Sequence, residues 1–306
     1  SRPHDAISMS SSGTARLFLT LLLAHVPLLL SAARASSTSS SDSAATSSAS
    51  DVQGGGASVT TLAAEAALLR LGARFYSQGD KLHNGRGAKH AYEHMYAEHL
   101  GPLRQEPIKF LEIGLGCNMH NGVGLSVPLW RNYLRKAELW WAEFNAKCVK
   151  KHAAAITRAG IAGVLTGDQG DVNTLKRWMN ESRGRFDFII DDGGHQPYQQ
   201  WITLSTLWPH LNPGGKLVIE DMGEGRNPSL TVGGPLPTPS LMHAVWELLA
   251  GLVEWGNPTI VRNLVRHEAP RSPLYDARTL PDLKSIQCYA EACVFIKCHG
   301  RELRCP

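Results

Sequence analysis

Residues 185–221, RFDFIIDDGGHQPYQQWITLSTLWPHLNPGGKLVIED, constrain this chain more than any other stretch. Two apolar runs each end in a pair of acids, Asp191-Asp192 and Glu220-Asp221, with a helical pattern between them. Short apolar runs without alternation are strands buried on both faces, the kind found in parallel sheets covered by helices. Ligands bind such sheets outside the carboxyl ends of the strands. If the two strands are neighbours, their ends lie about 5 Å apart. The four carboxylates then crowd one rim, with His195 just beyond the first pair. Such a crowd needs cations or protons to compensate it, so the rim is a candidate site.

The rest of the chain supplies the sheet. Residues 61–78 predict a helix, and Gly79-Asp80-Lys81 begins a break. Residues 90–100 predict a second helix, with Tyr92 and Tyr96 on one face and His90 and His94 on another. That histidine pair reads as polar-face residues or local hydrogen-bond partners, not as metal ligands. Strands follow at 108–116 (IKFLEIGLG), 138–143 (ELWWAE) and 162–165, with helices at 146–159 and 172–181. Strands alternating with helical patterns are the mark of a doubly wound α/β sheet. Trp201, Leu204, Trp208 and Leu211 recur at helical spacing and predict one face packed on that sheet. A further helix is expected over 240–254, and two strands around Ala290-Glu291 predict an antiparallel hairpin closing a sheet edge. The Gly- and Pro-rich residues 223–239, placed at the rim, read as a functional loop.

Composition enters mainly at the N-terminus. Residues 17–30 (LFLTLLLAHVPLLL) follow Arg16 and precede Ala33-Arg34-Ala35, a pattern fitting a signal peptide. The run falls short of the roughly 20 residues a spanning helix needs, and Pro27 interrupts it. The organisation expected is a signal peptide or membrane anchor over 1–35, with an organellar presequence as a further alternative. A disordered Ser/Ala-rich linker over 36–60 and one folded domain over 61–306 complete it. A secretory location follows, with the protein either secreted or lumenal behind an anchor. The Asn180-Glu181-Ser182 sequon suits that route but adds little. Net charge is +4 with scattered basic residues, which argues against a nucleic-acid-binding stripe. Cys117 and Cys148 read as ordinary buried free thiols. Cys288, Cys293, Cys298 and Cys305 crowd the C-terminus, where disulfides of unread connectivity suit a secretory route better than zinc.

The turn after the first strand, Glu112-Ile113-Gly114-Leu115-Gly116, is the second chemical feature. A dinucleotide fingerprint needs a third glycine where Met119 stands, and no Gly-Lys-Ser/Thr follows for a triphosphate loop. Glu112 would repel a pyrophosphate and suits a ligand with an amino group. Glu-x-Gly-x-Gly after the first strand, an acid ending the second and Gly-Asp-Gln after the third resemble class I S-adenosylmethionine-dependent methyltransferases. The set FLEIGLGCN, GDQGD, FDFIIDDGGH and PGGKLVIED is more specific. It resembles the metal-dependent sugar O-methyltransferases of macrolide biosynthesis and the cephalosporin-hydroxylase-like group, with most similarity to fungal hard-surface-induced proteins.

The resemblance covers roughly residues 79–297 and implies a Rossmann-like methyltransferase sheet with a C-terminal antiparallel hairpin. It implies backbone contact of Gly114 and Gly116 with the methionine part of the cofactor, joined by Glu112. Glu143 would hold the ribose hydroxyls, Asp168 and Gln169 would sit by the adenine, and Asp191 would face the cofactor side. Asp192, Glu220 and Asp221 match Mg²⁺-binding acids, and oxygen-only ligation suits that ion. His195 would be the base that takes the acceptor's proton, histidine being the side chain that titrates nearest neutrality. The partner implied is a small-molecule or glycan hydroxyl, with membrane contact only through the N-terminal segment; a homo-oligomer is compatible.

Other readings stay open. Asp192 could cap a helix over 196–211, His195 could be a loop hydrogen-bond donor, and Glu220 and Asp221 could be solvated strand ends. The turn after Gly116 is longer than a tight one, and the Gly/Pro segment and C-terminal cysteines map onto no motif. The rival class is a non-catalytic secreted or anchored carbohydrate-binding or adhesion protein on a methyltransferase fold. An Fe(II) oxidase would need a two-histidine, one-carboxylate set that is not evident.

Overall fold

Every apolar run between residues 108 and 219 that reads as a strand becomes one, and the glycine turns and capping residues set where each stops. The structure is a computed structural model describing residues 58–83, 90–120, 122–226, 240–254 and 280–300. The expected signal or anchor, nearly all of the linker, residues 227–239 of the Gly/Pro-rich loop and Cys305 lie outside the described residues.

Among the described residues, seven strands make one sheet: β1 (Lys109–Ile113), β2 (Glu138–Glu143), β3 (Gly163–Thr166), β4 (Phe186–Asp191), β5 (Leu211–Ile219), β6 (Leu283–Tyr289) and β7 (Ala292–Lys297). Their order is β3-β2-β1-β4-β5-β7-β6. β1 to β5 are parallel, and β7 lies antiparallel between β5 and β6. The expected hairpin therefore extends the sheet beyond β5, with β6 at the edge. Chain order reverses between β1 and β4, the topological switch point where ligands bind such sheets.

Among the described residues, seven helices cover the faces: α1 (Val59–Phe75), α2 (Glu93–Leu100), α3 (Ser126–Tyr133), α4 (Ala146–Arg158), α5 (Val172–Ser182), α6 (Pro197–Leu207) and α7 (Leu241–Glu254). Successive strand residues point to opposite faces, and this divides the core in two. Leu111, Ile113, Ile189, Leu217 and Ile219 pack with α5, α6 and α7. Phe110, Phe188, Ile190 and Val218 pack with α1, α2 and α3. The second face is aromatic: Phe110 stacks on Phe188 at 6.1 Å between ring centres and tilts against Trp130 and Trp141.

Two local features differ from the sequence reading, and one alternative it left open is closed. The helix expected to reach Leu211 ends at Leu207; Pro209 cannot donate a helical hydrogen bond, so Trp208–His210 form a single 3₁₀ turn and Leu211 opens β5. Asp192 does not cap α6, whose N-cap is Gln196 without a side-chain bond. Cys117 and Cys148, expected as free thiols, form a disulfide with Cα atoms 6.1 Å apart. It ties the loop after β1 to the first turn of α4. A second disulfide, Cys288–Cys293, spans directly opposed positions of β6 and β7. Among the described residues no cysteine is free, and no helix is long and apolar enough to cross a membrane.

Candidate active site

The alternation that divides the core also sorts the acids. Glu112 shares its face with Phe110, and Glu220 shares its face with Val218. Asp192, one residue past the end of β4, falls on that same face as Ile190. The two neighbouring strand ends are joined in parallel register up to Asp191 opposite Ile219, so Asp192 and Glu220 stand side by side as the spacing predicts. Glu112 and Glu220 are fully buried, and the Asp192 side chain is about a quarter exposed.

Gly114 makes the close approach possible. Its φ is +104°, and a methyl group there would lie 2.1 Å from the carbonyl oxygen of Asp192. A side chain at this position would strike backbone, so only glycine fits. The chain beyond β1 then passes over a cavity of about 400 Å³ at the carboxyl ends of the parallel strands. Its walls include Glu112, Gly114, Gly116, Glu143, Asp168, Gln169, Asp192, His195 and Asp221, nine of the residues the sequence singled out. That volume falls within the usual range for small-molecule sites.

Within the cavity each acid has defined partners. Ser126 and the Trp141 indole donate to Glu112 Oε2, at 2.8 and 3.0 Å. Glu112 Oε1 is buried without a closer hydrogen bond and faces the Lys81 ammonium at 3.4 Å. Glu143 accepts the backbone N–H of Asn145 on one oxygen, at 2.9 Å, and that of Cys117 on the other, at 3.3 Å. The carboxylate is thereby fixed at the end of β2, between the disulfide-tied loop and α4. Asp168 accepts Gly170 N–H and the Gln199 amide, at 2.8 and 3.3 Å.

Asp191 and Glu220 are placed differently from the sequence reading. Asp191 was expected at the cofactor, but its alternation turns it to the α5/α6 face, where it is buried and absent from the cavity wall. There Gln169 donates to both its oxygens and Gly193 N–H to one. The Gln169 carbonyl in turn accepts Gly194 N–H at 2.7 Å. Asp191 and Gln169 thus brace the Gly193-Gly194 turn that carries His195. Burial raises the Asp191 carboxyl to about 6, with the Gln169 hydrogen bonds opposing. Glu220 does not reach the cavity wall either; it is held between the Lys81 ammonium and the Tyr96 hydroxyl, which donates to it.

The partly exposed rim holds Asp192, His195 and Asp221, each offering one ligand atom within 4.8 Å of the others. Asp221 has a φ of +53°, an uncommon backbone conformation for a residue with a side chain. This turns its carboxylate out of the strand's alternation. Its oxygens meet Tyr92 OH at 2.7 Å, His90 Nε2 at 3.4 Å and His195 Nε2 at 3.6 Å. His90 also faces Glu291 across the β6–β7 turn, whereas His94 turns to Glu65 of α1; the two histidines do not converge. The Tyr92 and Tyr96 hydroxyls are held well above the usual phenol range by burial first and by Asp221 and Glu220 respectively, so both remain donors.

Lys81, Tyr92, Tyr96 and His90 were missed as site residues because none lies in the sheet motifs. The Lys81 side chain passes beneath the rim, 2% exposed, and its ammonium pairs with Asp192, Glu220 and, at 3.4 Å, Glu112. Burial works against that charge, but the three carboxylates outweigh it and hold Lys81 well above its ordinary pKa. The ammonium stays charged. Burial pushes Glu112 and Glu220 upward, with Lys81 opposing.

The donor set fits a hard divalent cation. Asp192 and Asp221 present carboxylate oxygens at an open rim, and Mg²⁺ is bound through one or two carboxylates with waters and substrate completing the shell. Glu220 stands behind them, joined to Asp192 through Lys81. The His195 imidazole, a softer donor, is left for proton transfer.

Sheet order, switch-point cavity and glycine turn together define a Rossmann-like methyltransferase fold, with the antiparallel hairpin appended beside β5. Comparison with solved structures agrees: the chain superposes on a MycE methyltransferase of mycinamycin biosynthesis, in complex with Mg and SAH, with TM-score 0.59 and 23% identity. That match covers 77% of this chain and 54% of the other. Among curated proteins the chain is 33% identical over 138 residues to the 8-demethyl-8-(2-methoxy-alpha-L-rhamnosyl)-tetracenomycin-C 3'-O-methyltransferase of Streptomyces olivaceus, covering 44% of this chain and 33% of that protein. It is 30% identical over 205 residues to the L-olivosyl-oleandolide 3-O-methyltransferase of Streptomyces antibioticus, covering 66% and 49%. These homologues are sugar O-methyltransferases, and the chain spans only a third to a half of their length. No family model matches the chain.

Proposed function

We propose that this protein is a Mg²⁺-assisted, S-adenosylmethionine-dependent O-methyltransferase acting on a hydroxyl of a sugar or sugar-bearing small molecule. One observation carries the reading. A cavity bounded by Glu112, the glycine turn and Glu143 opens directly onto a rim where Asp192, His195 and Asp221 converge. Cofactor-type and metal-type residues share one space, as a transfer between two bound partners requires. The homologues' activities on rhamnosyl and olivosyl groups support the acceptor class.

In this reading Glu112 receives the cofactor's amino group and Glu143 the ribose hydroxyls, while Gly114 and Gly116 let the backbone approach. S-adenosylmethionine supplies an electrophilic methyl group. A divalent cation held by Asp192 and Asp221, with Glu220 supporting them, would lower the pKa of the acceptor hydroxyl. His195 takes the proton from that hydroxyl, and Asp221 at 3.6 Å orients the imidazole and stabilises the charge it gains. The Gly193-Gly194 turn, braced by Asp191 and Gln169, fixes where His195 stands.

We place the protein in the secretory pathway, secreted or lumenal. The apolar segment over 17–30 and the two disulfides of the described domain support that location.

The test is methyl transfer from radiolabelled S-adenosylmethionine to rhamnosyl and olivosyl glycosides, with Mg²⁺ or with chelator. Turnover should require the metal. His195→Ala should lower kcat by about 10² to 10⁴-fold with little change in cofactor affinity, and Asp192→Ala should abolish the metal-dependent rate. A His195→Ala enzyme as fast as the parent would remove that residue from the mechanism. A folded protein that transfers no methyl group and binds no cofactor would leave the carbohydrate-binding reading in its place.

A further inference from the structure

Lys81 is fixed in place by more than its charge. The backbone carbonyls of Asp80 and Lys81 accept His90 and Tyr92 N–H, and the Asp80 carboxylate accepts the Tyr76 hydroxyl at 3.1 Å. Leu82 beside it is buried against Gly72 of α1. Residues 80–82 therefore hold the Lys81 ammonium under the rim. Among the described residues, no other lysine or arginine is ion-paired with Glu112, Asp192 or Glu220. Three carboxyl groups converge on this one ammonium, and a divalent cation at Asp192 would compete with it for the same oxygens.

Lys81 also touches both halves of the site. Asp192 belongs to the metal rim and Glu112 to the cofactor wall, and Glu220 stands on the far side of Asp192 at the end of β5. A cation arriving at Asp192 acts on the same ammonium that faces Glu112 Oε1. We infer that Lys81 is the resident counter-cation of this site: a positioning residue that holds the acids together without metal, moderates divalent affinity and couples metal occupancy to the cofactor end. The inference rests on the methyltransferase reading above and adds to it a residue on neither strand motif.

The sign of the effect separates this role from a structural one. Lys81→Met removes the charge while keeping an unbranched apolar stem. Without divalent cation the variant should melt below the parent. Calorimetric titration should show Mn²⁺ bound at least about tenfold more tightly than by the parent, because the acids no longer share their charge with an ammonium. Mn²⁺ should then raise its melting temperature more than the parent's. Any dependence of S-adenosylhomocysteine affinity on Mn²⁺ in the parent should shrink in the variant. A folded Lys81→Met protein with unchanged or weaker Mn²⁺ affinity would overturn the inference, since a purely structural lysine loses affinity along with stability. If Lys81→Met does not fold, the double variant Lys81→Met/Glu220→Gln should fold, because it removes one charge of each sign; a double variant that also fails would overturn the inference equally. The parent protein separates the two levels of the argument. If it binds no Mn²⁺, the metal part of the proposed function fails; if it binds Mn²⁺ and the variant binds no more tightly, only the role of Lys81 fails.

Discussion

At the scale of single residues, two adjacent aspartates do opposite work because a strand alternates. Asp192 faces the rim, and Asp191 faces the sheet's other side, buried under Gln169. Its pKa is raised by burial from the ordinary 3.8 to about 6. A raised acid contributes stability that is present below the unfolded value and lost as pH rises through the folded one. Asp191→Asn has no charge to bury. Across the window from pH 4 to 7 the variant should therefore gain on the parent by up to about 3 kcal/mol, measured by denaturant unfolding at each pH. A stability difference independent of pH would mean that Asp191 is not titrating there. The division of labour between Asp191 and Asp192 was legible from alternation alone, but its direction was not. Nothing in the sequence says which face carries the cofactor cavity, and Gln169 lies in a different βα loop. Lys81 was hidden for a related reason. A lysine in a Gly-Asp-Lys break looks solvated, and only the packing of α1 and α2 over the rim buries it.

At the scale of elements, the strands, five of the helices and the hairpin follow from periodicity and punctuation to within a residue or three. Asn145 and Asp171 cap α4 and α5 through their side chains, and such caps are visible in sequence. The helix read through Leu211 shows the limit: apolar spacing continues past Pro209, but the proline ends the helix and the same face is completed by β5. The disulfide was less legible still. Cys117 and Cys148 lie 31 residues apart, and only the parallel pairing of β1 with β2 brings the two following loops together. This crosslink should matter to both stability and site. The Cys117→Ser/Cys148→Ser variant should unfold about 3 to 4 kcal/mol more easily and bind S-adenosylhomocysteine more weakly, because Cys117 N–H also holds Glu143. Equilibrium denaturation with calorimetry would check both, and an unchanged midpoint would show that the loop is fixed without it.

At the scale of the whole molecule, the sheet order explains why the site lies where it does. Reversal of the chain between β1 and β4 opens a crevice at the carboxyl ends, and the parallel register of β4 and β5 brings their terminal acids together. The α1–α2 layer closes it from one side with Lys81, Tyr92 and Tyr96, groups that sheet motifs cannot announce. The central claim is that this crevice binds the nucleoside and amino-acid parts of S-adenosylmethionine between Glu112 and Glu143, beside a divalent-cation rim. Calorimetric titration of S-adenosylhomocysteine into the folded protein, with Mg²⁺ present, tests it most directly. One-to-one binding is predicted, weakened at least about tenfold in Glu143→Ala by loss of the charged hydrogen-bond acceptor. A folded protein that takes up no S-adenosylhomocysteine, or one whose affinity is indifferent to Glu143, would contradict it.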